Sequence, residues 1–156
     1  MKKIAIFVDV QNIYYTCRQA FKKQFNYRAC WSDISQQGEI IIANAYAIQR
    51  NDSQQQAFQK ALIHIGFNVK LKPFIQRSDG SAKGDWDVGI TIDILEAAPQ
   101  VDEIVLLSGD GDFDLLLNKV KSMHTKTTVI SVESLTAKSL IDASEYFQAI
   151  GSRLLF

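Results

Sequence analysis

Apolar residues recur along the 156-residue chain in two alternating rhythms. Residues 3–9 (KIAIFVD) and 40–48 are short runs with many β-branched side chains and no polar face, the pattern of strands buried on both sides in a parallel sheet. Residues 103–108 (EIVLLS) and 127–132 (TTVISV) repeat it. Residues 68–74 (NVKLKPF) alternate instead, and Pro73 marks an edge strand or a strand end. Between these runs, residues 11–23, 53–65, 87–98, 112–123 and 134–147 support helices. Ser53 and Ser134 stand where N-caps belong, and Gly66 where a helix ends. Residues 26–38 and 76–84 read as irregular.

Strands that alternate with helices pair in parallel through right-handed crossovers. The expected fold is therefore α/β: a three-layer sandwich around a five-stranded parallel sheet, order 3-2-1-4-5. One domain spanning residues 1–156 is expected at this length. In such a sheet, ligands bind beyond the carboxyl ends of the strands where the winding reverses. That place lies between the first strand, ending at Asp9, and the fourth, ending at Ser108. The sequence contains no apolar run near the ~18 residues of a membrane span. A soluble, cytoplasmic protein is expected. Cys17 and Cys30 read as packing residues, since two cysteines suggest neither a disulfide framework nor a zinc site.

Lysine plus arginine equal aspartate plus glutamate at 17 each, so the total charge points to no partner. Its distribution does. From Asp85 to Asp114 there are nine acids and no base, which leaves a surround with a net charge of +9. Glu96, Asp102 and Glu103 fit a solvated helix end and loop. SGDGDFD (108–114) places Asp110, Asp112 and Asp114 in a turn from strand to helix. Asp114 suits the first helical turn and Asp112 an N-cap. Asp110 precedes the helix and needs a cation or donors to offset its desolvation. In KGDWDVGITID (83–93), Asp85 and Asp87 can cap a helix, whereas Asp93 sits in an apolar stretch and wants a partner. Six residues separate Asp87 from Asp93, about 240° of helical rotation, so they converge only if Asp87 lies at the approach to the helix. In FVDVQN (7–12), Asp9 ends a strand and Asn12 suits an N-cap or the crevice. Carboxylates without cysteine or histidine suit a hard cation such as Mg²⁺. His64 and His124 fall on helices away from the acidic turns.

FVDVQN, KGDWDVGITID and SGDGDFDLLL, in that order, with a weaker match in SLIDASEYFQAI, resemble the NYN domain of the LabA-like group in the PIN-like nuclease superfamily. The resemblance covers nearly the whole chain and implies a PIN-like fold. It also implies a ribonuclease that hydrolyses RNA phosphodiester bonds with Mg²⁺ or Mn²⁺. It maps the family's acids to Asp9, Asp87, Asp93, Asp110 and Asp112, with Asn12 and Ser108 as polar accessories. The expected inner set is Asp9, Asp93 and Asp110, with Asp112 and Asp87 orienting waters or a second ion. Asp114 falls where the family is not acidic. The chain departs from the pattern by one residue near Lys83, which makes Asp85 an alternative to Asp87.

The expected partner is single-stranded RNA. Lys83, Arg77, Arg18, Lys22, Lys23 and Lys119 are candidates for phosphate contact, and Trp86, Tyr14 and Tyr15 for stacking on unpaired bases. The oligomeric state is left open, a homodimer among the options. Two other readings compete. One is a regulatory module that binds RNA or protein without turnover. The other is a haloacid-dehalogenase-type phosphatase with Asp9 as nucleophile, weakened because Gln11 stands where that family has a second Asp.

Overall fold

The computed structural model describes residues 1–50, 52–73, 75–76, 82–83 and 85–156. The strands are β1 (Lys3–Asp9), β2 (Glu39–Gln49), β3 (Asn68–Pro73), β4 (Ile75–Gln76), β5 (Ala82–Lys83), β6 (Glu103–Leu107), β7 (Lys126–Ser131) and β8 (Tyr146–Ala149). The helices are α1 (Val10–Phe21), α2 (Tyr27–Ser35), α3 (Ser53–Ile65), α4 (Asp87–Ala97), α5 (Asp114–Ser122) and α6 (Lys138–Ala143). Among the described residues, six strands form a parallel sheet in the order β3-β2-β1-β6-β7-β8. β4 and β5 pair antiparallel at the ends of the stretch expected to be irregular, most of which, with Phe74 and Arg77, lies outside the described residues.

The sheet is buried on both faces because its central strands are apolar on both. Along β1, Ile4, Ile6 and Val8 join one core cluster with Ile13 and Cys17 of α1, Cys30 and Ile34 of α2 and Leu62 of α3. Ala5 and Phe7 join the other, with Ile90 and Ile94 of α4, Leu117 and Val120 of α5 and Leu140 of α6. Each fully buried Ile or Leu contributes roughly 1.5–3 kcal/mol. Cys17 and Cys30 are free and buried, as expected of packing residues.

Two elements differ from the sequence expectation. Residues 26–38 hold a helix, α2, whose first turn is capped by the Asn26 side chain accepting from the Ala29 N–H at 3.0 Å. Tyr27, Cys30 and Ile34 then repeat at helical spacing and are buried. Residues 134–147 do not form one helix. They divide into a 3-10 turn at Glu133–Leu135, the six-residue α6 and the edge strand β8, so the sheet has six strands rather than five. The β7 edge supplies the reason: it offers backbone partners over four registered residue pairs, and pairing outweighs local helix propensity there. β3, with Pro73, is the opposite edge, as its proline required. Asp52, not Ser53, caps α3 by accepting from the Gln55 N–H at 2.7 Å.

Gly66 ends α3 with φ of 138°, and a Cβ there would lie 2.6 Å from the Trp31 ring. Backbone strain and overpacking act together, so Gly66→Ala is expected to cost about 2 kcal/mol, read from urea denaturation.

A candidate carboxylate metal centre

The sheet winds outward in both directions from the β1–β6 pair, where Val8 lies opposite Leu107. The chain leaves both strands at this switch point, and the acidic side chains gather beyond it. Ligand atoms of Asp9, Asp87 and Asp110 lie within 4.8 Å of one another. Asp9 comes from the end of β1, Asp110 from the segment after β6, and Asp87 from the first turn of α4.

Buried Ser108 joins two of these segments. Its hydroxyl donates to Asp9 Oδ2 and accepts from the Asp110 N–H, both at 3.1 Å. Asp9 also caps α1, accepting from the Asn12 N–H at 3.4 Å. This frees the Asn12 side chain, expected either as a helix cap or in the crevice, to accept from the Gly109 N–H at 2.8 Å. Asn12 thus ties α1 to the turn after β6. Asp110 Oδ1 accepts from the Asp112 N–H at 2.9 Å and caps a 3-10 turn, Gly111–Phe113, that leads into α5. Asp112 is accordingly not the N-cap; it is exposed and outside the carboxylate group. Asp114 lies in the first turn of α5, as read from the sequence.

Burial raises the Asp9 carboxyl to about 6, against the Ser108 and Asn12 hydrogen bonds, and nearby Asp110 and Asp85 add to the rise. Desolvation, then the charge of Asp110, raises Asp87 to about 7. The fold therefore assembles negative groups at a cost that a cation offsets.

Asp93 is not brought into this set. Six residues along α4 carry it round to the sheet side, where its Oδ2 receives Tyr46 Oη and Lys70 Nζ, each at 2.7 Å. Burial alone would raise its carboxyl, but the hydrogen bonds from Lys70 and Tyr46 outweigh burial and hold it below the ordinary value. Tyr46 and Lys70 are register partners on β2 and β3, and Asn44 Nδ2 donates to Tyr46 Oη at 3.1 Å. The sequence shows only that Asp93 needs compensation; which residues supply it depends on the register of β2 with β3. Removing the acid leaves the Tyr46 hydroxyl without this acceptor, so Asp93→Ala is expected to cost about 2 kcal/mol in urea denaturation. The folded variant should respond to Mn²⁺ as the wild type is expected to, since Asp93 lies outside the grouped carboxylates.

Asp85 is exposed at the rim, accepting from the Asp87 N–H at 3.3 Å, so the grouped acid of this segment is Asp87. Trp86, expected to stack on substrate, donates its indole N–H to the Ala47 carbonyl at 2.9 Å and lies under Lys72, 4.6 Å from the ring centroid. Gly89 makes room for it, since a Cβ there would meet the indole at 2.6 Å. Trp86 therefore fastens the start of α4, and with it Asp87, to β2. Lys83 lies in β5. Lys119 is on α5, while His64 lies in the last turn of α3 and His124 just past α5 with φ of 63°.

A family model described as the NYN domain matches residues 3–151. The chain belongs to the NYN domain family. Within the PIN-like nuclease superfamily it falls in the LabA-like group. It is 31% identical over 153 residues to the low amplitude and bright protein LabA of Synechococcus elongatus, spanning 93% of this chain and 82% of LabA. It is 26% identical over 153 residues to the uncharacterized protein MJ0482 of Methanocaldococcus jannaschii, spanning 96% of this chain and 55% of that protein. The crystal structure of a protein of unknown function, VPA0982 from Vibrio parahaemolyticus, superposes with a TM-score of 0.94 at 51% identity, over 99% of this chain and 96% of that one. These likenesses show the NYN family and its fold over nearly the whole chain. Among the described residues no helix of this NYN protein is long and apolar enough to cross a membrane.

Proposed function

We propose that this NYN protein, working as one domain, is a ribonuclease that hydrolyses phosphodiester bonds in unpaired RNA with Mg²⁺ or Mn²⁺ held by Asp9, Asp87 and Asp110. The observation that carries the reading is the convergence of those three carboxylates, from three distant segments, at the switch point of the sheet. The donor set fits a hard divalent cation, which takes oxygen ligands and commonly leaves positions for water and phosphate. When bound, such an ion supplies an acidified water and offsets charge at the scissile phosphate.

The chain's own residues do the positioning. Ser108 and Asn12 hold β1, α1 and the turn after β6 in one arrangement, so that Asp9 and Asp110 need not reorganise to bind. Trp86 and the Asp93–Lys70 pair fix α4 and present Asp87. Membership of the NYN family leaves the haloacid-dehalogenase reading without support. The silent regulatory module differs from the enzyme only in turnover, and the test separates them. Purified protein incubated with a short single-stranded RNA and Mn²⁺ should cleave it, EDTA should stop the reaction, and Asp87→Asn should not cleave. Binding of intact RNA in Mn²⁺ without cleavage by the wild type would overturn the enzyme and leave the module.

A further inference from the structure

We infer that the groove between α1 and α3 is the channel through which an unpaired RNA strand runs away from the carboxylate site. The inference rests on RNA being the substrate, and it gathers some of the candidate cations and rings of the sequence into one defined path for a stretch of that RNA. The groove encloses about 640 Å³, within the range of ligand-sized clefts. It begins at Val10 and Gln11, directly after Asp9, and at Ala47 and Ile48 near the end of β2. Buried Tyr27 lines it too, and the two residues that follow Asp9 in the chain place this end of the groove next to the carboxylate site.

Charge and chemistry change along the path. The described lining contains Arg18 and Arg50 and no acid, although the centre beside it is built from acids. A second depression of about 370 Å³ shares Tyr14, Arg18 and Gln24 with the groove and adds Lys22 and Lys23. Tyr14, Arg18 and Lys22 follow one another at four-residue spacing along α1 and its C-cap, which aligns an aromatic ring and two cations in one row. Tyr14 and Tyr15 are 43% and 53% exposed and meet edge to face with centroids 5.2 Å apart. Arg18 Nη1 donates to Tyr14 Oη at 3.1 Å and steadies that ring. Exposed rings suit unpaired bases, because a duplex keeps its base faces stacked internally, and cations beyond them suit the phosphates of a continuing strand. The amides of Gln54 and Gln55 on the α3 wall add donors and acceptors without charge.

The test is binding of a fluorescein-labelled, unstructured ten-nucleotide RNA, followed by anisotropy in EDTA, with RNA integrity checked on a gel. Tyr15→Ala should weaken binding about tenfold, the usual size of a lost base-stacking contact. Arg18→Ala with Lys22→Ala should weaken it and reduce the slope of log affinity against log salt by about 1.4, the value for two lost single-strand phosphate contacts. Lys121→Ala with Lys126→Ala, in and just past α5, should leave binding within twofold, and a duplex of the same length should bind more weakly than the single strand. Equal loss from the two double variants, no loss from either, no binding by wild type, or duplex bound as well as single strand would each overturn the channel. Because the measurement needs no metal and no turnover, its result is separable from the nuclease reading. Cleavage with binding indifferent to Tyr15 and Arg18 sinks the channel alone. Binding that depends on them without cleavage in Mn²⁺ sinks the enzyme alone.

Discussion

Asp110→Asn should reduce Mn²⁺-dependent RNA cleavage by at least about a hundredfold while leaving the metal-free fold as stable as wild type or more so. Residues that merely support metal ligands already cost about 10–100-fold when changed, and Asp110 supplies one of the three grouped carboxylates. The substitution separates charge from shape. An asparagine Oδ1 can still accept from the Asp112 N–H, so the 3-10 turn that the 2.9 Å bond closes is retained. The Asp110 N–H bond to Ser108 is a backbone contact and is untouched. What disappears is one negative charge beside Asp9 and Asp87, whose carboxyls are both pushed up in part by it. Asp112→Asn provides the contrast. That side chain is exposed and outside the group, so its loss should leave the rate within about threefold. Steady-state cleavage of labelled RNA by the two variants, beside their melting temperatures in EDTA, decides the matter. Comparable losses in both would return Asp112 to the working set and weaken the three-residue centre.

The same pair of residues shows what could be read from the sequence and what could not. Convergence of Asp9 and Asp110 followed from strand order alone, because apolar runs alternating with helices require a doubly wound sheet and such a sheet has one crevice at its reversal. Helical rotation allows Asp87 and Asp93 to converge only if Asp87 lies at the approach to α4; Asp87 is instead the first residue of that helix, and the rotation carries Asp93 away. The inclusion of Asp93 in the inner set failed for a reason that spacing along one helix cannot reveal. Its compensating charge is Lys70, 23 residues earlier on an edge strand, and the pairing depends on the register of β2 with β3. Residues 134–147 misled in the same way: local propensity favoured helix, while the free edge of β7 recruited Tyr146–Ala149 as a strand. Pattern reports what a segment can do alone. Register and edges are properties of the assembled sheet.

The assembly of like charges has a thermodynamic consequence that does not require RNA. Metal-free protein should melt at a lower temperature at pH 8 than at pH 5, by about 5–10 °C, and excess Mn²⁺ should close most of that gap at pH 8 while adding little at pH 5. Asp9 and Asp87 have folded pKa values of about 6 and about 7, above the ordinary 3.8 that they regain on unfolding. Between those limits the folded chain holds more protons than the unfolded one, so stability falls as pH rises. The favourable contribution is fully present below about pH 4 and is lost as pH passes through about 6 to 7. For Asp9, mostly enclosed, the whole loss is about 3 kcal/mol, of which about 1.4 kcal/mol falls between pH 5 and pH 8, and Asp87, half-buried and screened by solvent, adds a share of about the same size over that interval. Each kcal/mol moves the midpoint of a domain this size by about 2–4 °C. A cation that binds the deprotonated carboxylates must displace those protons, which is why it acts at pH 8 and competes poorly at pH 5. At a hundred times its dissociation constant it restores about 2.7 kcal/mol, close to what deprotonation of Asp9 and Asp87 together removes between pH 5 and pH 8. The Asp9→Asn variant, which cannot ionise at that position, should show a smaller pH gap and a weaker response to Mn²⁺. A metal-free protein equally stable at both pH values, with no response to Mn²⁺ at either, would mean that these carboxylates are individually solvated and that the centre is not built for an ion.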